Sequence, residues 1–361
     1  MIPRFKPDLS SAEWTALFRG GAPAIPAFAA AFARAFGNAE AVAFNYGRGA
    51  LFALLKVLDL QQAEVVMPAY TCSVVAHAVV VSGNTCRFVD CEPGGYNMDV
   101  AQLASAIGPR TRMVVPTHLF GFPADVETIR SIVADASRRF GQRIWIVQDC
   151  AHGFGARWKG ELVSGAGDVA LFGLGISKIM TSVFGGMLAT SDATLAEGLR
   201  RWRDAHAHAA GWPRELAYAA YLSASAVAFS APFYGLVRWL QDETRLLDGM
   251  TKAYHMDGLV RLPPDATDRM SDIGARLGMV QLHRYQGFES LRQANAEYYH
   301  NRLRPHPSWR MPPLVDGATY SHFPIWVPER DAVIKFCLRR GVQLGQLIEY
   351  SVPHLAEHGE A

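Results

Sequence analysis

The sequence is poor in net charge and in cysteine. Its 361 residues carry 35 basic and 33 acidic side chains, a formal net charge of +2. Nucleic-acid binders present a basic block or stripe, so this balance argues against a nucleic-acid partner. The five cysteines are odd in number and lack CxxC spacing, which predicts neither a disulfide framework nor a zinc site. They indicate reduced thiols in a cytosolic protein, and the first eight residues lack the apolar core of a signal peptide.

Lysine is also scarce, which narrows any search for a lysine nucleophile. It occurs at Lys6, Lys56, Lys159, Lys178, Lys252 and Lys335. Half of the residues are hydrophobic, so the chain can bury a substantial core and is not a disordered tail, a coiled coil or collagen. The length predicts two domains, or one large α/β unit with an appendage.

Short apolar runs alternate with helical patterns between residues 64 and 190. The apolar runs, predicted as strands, cover residues 64–68, 86–90, 112–116, 143–148, 168–172 and 186–190. The helical patterns between them cover residues 72–81, 98–107 and 125–140. Strands that alternate with helices are joined by crossover connections. The pattern therefore predicts a mostly parallel sheet that is buried on both faces.

This alternation stops at residues 211–265. A run without charge, residues 216–237, is rich in Ala, Ser and aromatic residues and is interrupted by Pro232. It is long enough to span a bilayer, which takes about 20 residues, but it is only moderately apolar. Farther on, the pattern predicts a helix, a strand and a second helix, a smaller α+β unit. These three elements cover residues 269–303, 322–327 and 330–340. We therefore predict a large domain, an apolar helical insertion and a small C-terminal domain, over residues 1–210, 211–265 and 266–361.

Chemically capable residues follow the predicted strands, where an open parallel sheet binds its ligands. Asp149 and His152 come after one strand and Lys178 after the next, while Gly47 and Gly49 flank the start of a helix. A lysine can form a Schiff base with pyridoxal phosphate (PLP), and a carboxylate can pair with the ring nitrogen. A helix N-terminus beside glycine can bind the phosphate. Each residue alone has an ordinary structural role, but their order and spacing favour the functional interpretation.

Around these residues the sequence resembles the DegT-type sugar aminotransferases, PLP enzymes of fold type I, from about Ala41 onwards. The matching stretches are Tyr46–Leu51, Val65–Thr71, Val89–Asp99, His118–Asp125, Gln148–Gly155, Gly167–Gly186 and Arg269–Leu282. The resemblance implies an α/β fold with a mostly parallel central sheet flanked by helices and a smaller C-terminal α+β domain.

The resemblance also assigns roles by position. Lys178 resembles the lysine that binds PLP as a Schiff base, Asp149 the partner of the ring nitrogen, and His152 the residue that contacts the ring hydroxyl. The turn that binds the phosphate is represented by Gly47, Arg48 and Gly49. The segment that contains Thr267 and Arg269 resembles a strip that enters the neighbouring subunit's site.

Four positions depart from the family's pattern. Arg48 replaces a threonine in the phosphate turn, and Gly173 replaces a serine that donates to the phosphate. Cys72 stands where an aromatic residue usually stacks on the ring, and Thr267 replaces an asparagine. Lys178 is retained, which argues against the family's dehydratase branch, where a histidine occupies that place.

The resemblance implies an aminotransferase that moves an amino group from glutamate to a keto sugar, nucleotide-linked, for amino-sugar or surface polysaccharide biosynthesis. It also implies a homodimer with shared sites. Two alternatives stay open: a non-catalytic or membrane-surface protein of the same fold, and another PLP reaction such as sugar dehydration or C–S cleavage. We expect a cytoplasmic protein, with a peripheral location at the inner membrane face as the alternative. We expect residues 216–237 to form a packed hairpin bent near Pro232, with a hairpin in a membrane interface as the alternative.

Overall fold

A computed structural model describes residues 1–18, 23–243, 260–304, 306–346, 348 and 350–354. The part of the predicted insertion at residues 244–259 lies outside the described residues.

A seven-stranded sheet forms the centre of the fold. The strands in chain order are β1 (Glu40–Phe44), β2 (Glu64–Pro68), β3 (Thr85–Val89), β4 (Thr111–Val114), β5 (Trp145–Asp149), β6 (Arg157–Trp158), β7 (Glu161–Leu162), β8 (Val169–Gly173) and β9 (Gly186–Thr190). The order across the main sheet is β1-β9-β8-β5-β4-β2-β3, and β6 pairs with β7 in a separate ribbon. Only β9 runs antiparallel to its two neighbours, β1 and β8, which confirms the predicted mostly parallel sheet. Strand β1 was not predicted from the sequence.

Helices flank this sheet. They are α1 (Ser11–Phe18), α2 (Ile25–Ala35), α3 (Gly47–Val57), α4 (Ser73–Val81), α5 (Val100–Ala106), α6 (Val126–Phe140), α7 (Ala193–His206), α8 (Trp212–Ala228), α9 (Ala231–Glu243), α10 (Asp272–Arg302) and α11 (Arg330–Arg339). Side chains cap several of their N-termini: Asp99, Asp125 and Ser271 each accept a bond from a backbone N–H in the first turn. Gly141, in the left-handed conformation, ends α6 where the sequence predicts it.

Two layers of helix cover the two faces of the sheet. Helices α3, α4 and α7 pack on one face, against Val42, Phe44 and Met67 among others. Helices α2 and α10 cover the opposite face near β1, β8 and β9, and α5 and α6 cover it near β2, β4 and β5. Successive side chains of a strand point to opposite faces of the sheet. Strands that are apolar on both faces are therefore buried only when helices cover both faces of the sheet.

The predicted strand at residues 322–327 is wrong. Within the described residues this segment makes a single β-bridge, between Trp326 and Arg310, and belongs to no sheet. Pro324 and Pro328 lack the N–H groups that a continuous ladder needs. The helix predicted after it is present as α11.

Helices α8 and α9 form the predicted helical hairpin, bent by 100°. Its inner face is packed, since Tyr218 and Leu222 of α8 cluster with Val183 and Leu277. In the described part of the chain, no single helix is long and apolar enough to cross a membrane. The bent α8–α9 pair passes that test of length and composition only when both helices are counted together.

Candidate active site

The candidate site lies where the ends of four strands meet. Asp149 is the last residue of β5, and Gly173 is the last residue of β8. Gly186, which begins β9, pairs with Phe44 of β1 on one side and with Gly173 on the other. The turn that starts α3 and the loop that carries Lys178 therefore leave from neighbouring strand ends.

Asp149 is a buried carboxylate, 3% exposed. Its Oδ1 accepts a hydrogen bond from the N–H of Ala151 at 3.0 Å, and the Thr117 hydroxyl also bonds to it. Burial raises the pKa of Asp149, whereas the bond from Ala151, the nearby Lys178 and Thr117 act in the opposite direction. No ion pair within 4 Å reaches this carboxylate from the described residues. A buried carboxylate of this kind fits a cationic ring N–H, so the observation supports a protonated pyridine as its partner.

Lys178 lies in the loop between β8 and β9. Two backbone bonds hold this loop: Leu174 donates to Gly185 at 2.8 Å, and Ser182 donates to Leu174 at 2.9 Å. Burial lowers the pKa of Lys178, and the nearby Cys72 and Asp149 oppose that shift. A lowered pKa increases the fraction of neutral amine near pH 7, which is the nucleophilic form.

Gly173 leaves open space beside this lysine. A methyl group at position 173 would lie 3.7 Å from Cε of Lys178 and 3.8 Å from Cβ of Ala151, which is ordinary contact. The predicted cofactor-binding position is therefore next to the predicted cofactor-binding lysine. Gly173 contributes backbone atoms and open space to the site, because it has no side chain that could donate a hydrogen bond.

Backbone from other segments of the chain packs closely against the N-terminus of α3. Tyr46 precedes it in extended conformation and makes no side-chain cap, so it gives the first N–H groups of the helix no side-chain acceptor. A methyl group at Gly49 would overlap the carbonyl oxygen of Ala266, and one at Gly186 would overlap the backbone of residues 46–47. The guanidinium of Arg48 lies over the Tyr46 ring, 5.3 Å from its centroid. An uncapped helix start with a cation beside it fits a phosphate group.

The strip that contains Thr267 and Arg269 lies beside the phosphate turn of its own chain. Asn45 donates its N–H to the carbonyl of Asp268 at 2.9 Å. The carboxylate of Asp268 forms an ion pair with Arg214 at 2.7 Å. Arg269 forms an ion pair with Asp204 of α7 at 3.1 Å, so α7 holds its guanidinium. The structure thus brings the backbone of the strip to the turn and joins the side chain of Arg269 to α7.

His152 stacks on Phe120, with ring centroids 6.0 Å apart and planes inclined by 20°. Its Nδ1 accepts the N–H of Phe120 at 3.4 Å. Burial lowers the pKa of His152 well below its usual value, and the charges of Lys178 and His322 lower it further. The ring is therefore neutral and carries its proton on Nε2, which leaves a donor that fits a ring hydroxyl.

Sequence reasoning missed His322 and Tyr350, which belong to the same site. The His322 ring lies 5.1 Å from that of His152, and burial together with Lys178 and Arg292 lowers its pKa to about 3. The Tyr350 hydroxyl accepts the N–H of Ser73 at 3.1 Å, next to Cys72 at the start of α4. Both residues come from irregular C-terminal segments, and no local spacing in the sequence places them near Lys178.

A buried hydroxyl ties the insertion to the phosphate turn. Tyr218 of α8 donates to Oδ1 of Asn45 at 2.9 Å, and Nδ2 of Asn45 donates to Asp265 at 3.0 Å. Asn45 is fully buried. We predict that Tyr218→Phe lowers the free energy of unfolding by about 1–3 kcal/mol, because the Asn45 oxygen loses its donor. We also predict weaker PLP binding, since Asn45 directly precedes the turn.

Thermal unfolding and a PLP titration measure these two effects. Tyr221→Phe is the matched control, since Tyr221 is also on α8 and packs on Phe184 at 5.2 Å. No hydrogen bond of its hydroxyl is found among the described residues. Equal behaviour of the two variants would show that the Tyr218 hydroxyl does not support the turn.

His118, another buried histidine, predicts acid sensitivity. The Nδ1 of His118 accepts from Ala124 at 3.0 Å, and its Nε2 donates to Gln148 at 3.0 Å. Burial lowers the pKa of His118 from 6.5 to about 4. Between pH 6.5 and pH 4, His118 therefore binds a proton in the unfolded chain but not in the folded chain. The free energy of unfolding falls as the pH drops from 6.5 towards 4. We expect His118 alone to lower the free energy of unfolding by on the order of 3 kcal/mol over that pH range.

Chemical unfolding across that pH range tests the expectation. His118→Gln should flatten the slope of unfolding free energy against pH, whereas His206→Gln, at an exposed position, should keep it. An unchanged slope in His118→Gln would assign the acid sensitivity to other groups.

Comparison with known proteins identifies relatives of this chain. The sequence model of the DegT/DnrJ/EryC1/StrS aminotransferase family matches residues 9–220 and 246–355. A UDP-N-acetyl-3-dehydro-alpha-D-glucosamine 3-aminotransferase of Acidithiobacillus ferrooxidans is 35% identical over 170 residues, 46% of this chain and 44% of that protein. The chain thus matches less than half the length of that relative.

Two further proteins match over most of their length. A dTDP-4-dehydro-2,3,6-trideoxy-D-glucose 4-aminotransferase of Saccharopolyspora spinosa is 30% identical over 359 residues, 95% of this chain and 82% of that protein. The crystal structure of the aminotransferase TlmJ from Streptoalloteichus hindustanus superposes with a TM-score of 0.74 at 25% identity. That superposition covers 99% of this chain and 88% of TlmJ.

Proposed function

This chain belongs to the DegT/DnrJ/EryC1/StrS aminotransferase family, and we propose that it is a PLP-dependent aminotransferase that moves an amino group from glutamate to a keto sugar carried on a nucleotide. One observation carries the proposal: a buried carboxylate, Asp149, lies at the same sheet edge as Lys178, whose pKa is lowered. The names of two relatives, which act on UDP-linked and dTDP-linked sugars, support the substrate class.

The residues present fit PLP, and each would hold a different part of it. Asp149 would keep the ring nitrogen protonated, and His152 would donate from Nε2 to the ring oxygen. The backbone N–H groups of Gly47 and Gly49, together with Arg48, would bind the phosphate. When bound, PLP supplies an electron sink that stabilises negative charge at the carbon beside the transferred nitrogen.

Lys178 has two tasks in this proposal. As a neutral amine it would attach the cofactor, and as a freed base it would take and return a proton at the substrate carbon. Its lowered pKa suits both, because a lysine with its usual pKa near 10.5 would stay protonated at neutral pH. The loop bonds at Leu174 and Ser182 hold the amine in position while substrate exchanges.

The amino-donor half-reaction tests the proposal. Protein loaded with PLP and given L-glutamate without acceptor should release 2-oxoglutarate in an amount equal to the protein and lose its visible cofactor band. A nucleotide-linked keto sugar should then restore the band. PLP that binds without 2-oxoglutarate release would point instead to dehydration or C–S cleavage. A chain with no visible band would support the non-catalytic alternative.

We further propose a homodimer in the cytoplasm. The strip at Thr267 and Arg269 supports the dimer only by its resemblance to a segment that completes a neighbouring site, because its backbone packs here on the phosphate turn of its own chain. The five cysteines, none of them in a disulfide, support a reducing compartment. Sedimentation velocity should give twice the chain mass of 39.6 kDa. Lys178→Ala protein mixed with a Thr267→Ala/Arg269→Ala variant should regain activity through hybrid dimers if the strip also serves the partner's site. No regain would assign the strip to the site of its own chain, and an active monomer would contradict the dimer.

A further inference from the structure

The outward face of the α8–α9 hairpin is apolar and exposed. Its large side chains have between 53% and 77% of their surface exposed. They are Trp212, Leu216 and Val227 of α8 and Phe233, Leu236 and Trp239 of α9. No charged residue occurs between residues 216 and 237. A contiguous apolar surface on two adjacent helices marks an interaction site more often than scattered hydrophobic residues do.

Contacts on the inner face of the hairpin fix the orientation of α8. The Glu215 carboxylate accepts the N–H groups of Asp272 and Ile273 at 2.8 and 2.9 Å, which caps the start of α10 from a distant part of the chain. Tyr218 is hydrogen-bonded to Asn45, as described above. Rotation of α8 to hide Trp212 and Leu216 would break these contacts, so the apolar face stays outward.

The start of the chain extends the surface and adds positive charge. The Phe5 ring lies 4.4 Å from that of Phe229 at the bend, and the amino group of Met1 donates to the carbonyl of Ala231 at 3.3 Å. Ile2 is 62% exposed beside them. Arg4 and Lys6 are exposed on the same short segment.

We propose that this surface, the outward face of α8–α9 together with residues 1–6, binds the interface of a bilayer that contains anionic lipid. Tryptophans stand at the two outer ends of the hairpin, Trp212 and Trp239, with aliphatic and phenyl groups between them. This arrangement is typical of helices that lie in a membrane interface. The exposed cations beside the apolar face complement anionic headgroups, which attract each basic residue near the surface. The proposal concerns a surface apart from Lys178 and does not rest on the reaction.

Vesicle co-sedimentation tests the proposal with the PLP-loaded full chain. Vesicles of phosphatidylcholine with a quarter phosphatidylglycerol should sediment the protein, and pure phosphatidylcholine should sediment less of it. Trp212→Ser/Phe233→Ser/Trp239→Ser should lower the partition coefficient by about ten-fold or more, because three anchors lose their transfer free energy. Leu291→Ser/Tyr298→Ser is the matched control, since these α10 side chains are 56% and 59% exposed. It should bind like wild type.

A second variant does not depend on the hairpin's fold. Arg4→Glu/Lys6→Glu should remove most of the difference between the two lipid compositions. Sedimentation velocity without lipid, run in parallel, should give all variants the mass of wild type. The proposal is overturned if wild type stays in the supernatant with both vesicles. It is also overturned if the triple variant sediments as wild type does, or if that variant loses self-association and so identifies the surface as a contact between copies.

Discussion

Replacing Lys178 by alanine should leave a folded protein with no measurable turnover. General acid–base catalysis alone contributes about 10²–10⁴-fold, and Lys178 also provides the covalent attachment, so we expect a loss of roughly 10⁴-fold or more. The fold should persist because the described residues give this side chain no ion pair to lose. Removal of a buried amine also removes a desolvation cost. Formation of 2-oxoglutarate from glutamate and circular dichroism measure the two effects.

The attachment itself can be observed chemically. Borohydride reduction of the wild type, followed by peptide mapping, should place the pyridoxyl group on Lys178. The matched control is Lys159→Ala, because Lys159 is exposed and its ion pair among the described residues is with Glu127 on the surface. That variant should keep its label and its turnover. A label on any of the other five lysines would refute the assignment.

Asp149→Asn should retain part of the cofactor and lose most of the turnover, by about 10³-fold. Asparagine has nearly the same shape and can still accept the N–H of Ala151, so the local structure should hold. A neutral amide cannot keep a ring nitrogen protonated, and the electron sink then weakens. The measurements are PLP affinity by titration and turnover by 2-oxoglutarate release.

Asp125→Asn is the control for this substitution. Asp125 caps α6 by accepting from the N–H of Thr128 at 3.0 Å, and asparagine caps almost as well. Its turnover should equal that of wild type. If Asp149→Asn keeps turnover within about ten-fold of wild type, the ring nitrogen has another partner and the role proposed for Asp149 is wrong.

Local pattern was sufficient for six of the seven strands of the sheet and failed where the geometry comes from distant contacts. Strands β2 and β9 begin and end at the predicted residues, because apolar runs between turn residues fix their limits. Strand β1 was missed, since its alternation of alanine with larger residues carries a weak signal. Residues 322–327 were predicted as a strand, but the prolines in and after this segment prevent a ladder.

The residues of the site also divide into those that local pattern predicts and those that distant contacts place. Asp149 and Lys178 could be found because each follows a recognisable strand. The placement of His322 beside His152 depends on how an irregular segment folds back over Phe120, and the sequence carries no period for that. The outward face of α8 could not be predicted either. It is set by which of its faces Glu215 and Tyr218 tie down, and both partners are distant in the chain.

The contact between Gly49 and Ala266 also has a consequence for how the protein matures. Asn45 and Asp265, which flank that contact, are 220 residues apart in the chain. During synthesis the turn at the start of α3 leaves the ribosome long before the strip that packs on it, and early segments fold first. In the nascent chain the phosphate turn therefore forms before the strip that packs on it. We therefore expect cofactor loading to be a late event in biogenesis, so the fraction of protein that carries PLP should report how much of it has completed its long-range contacts.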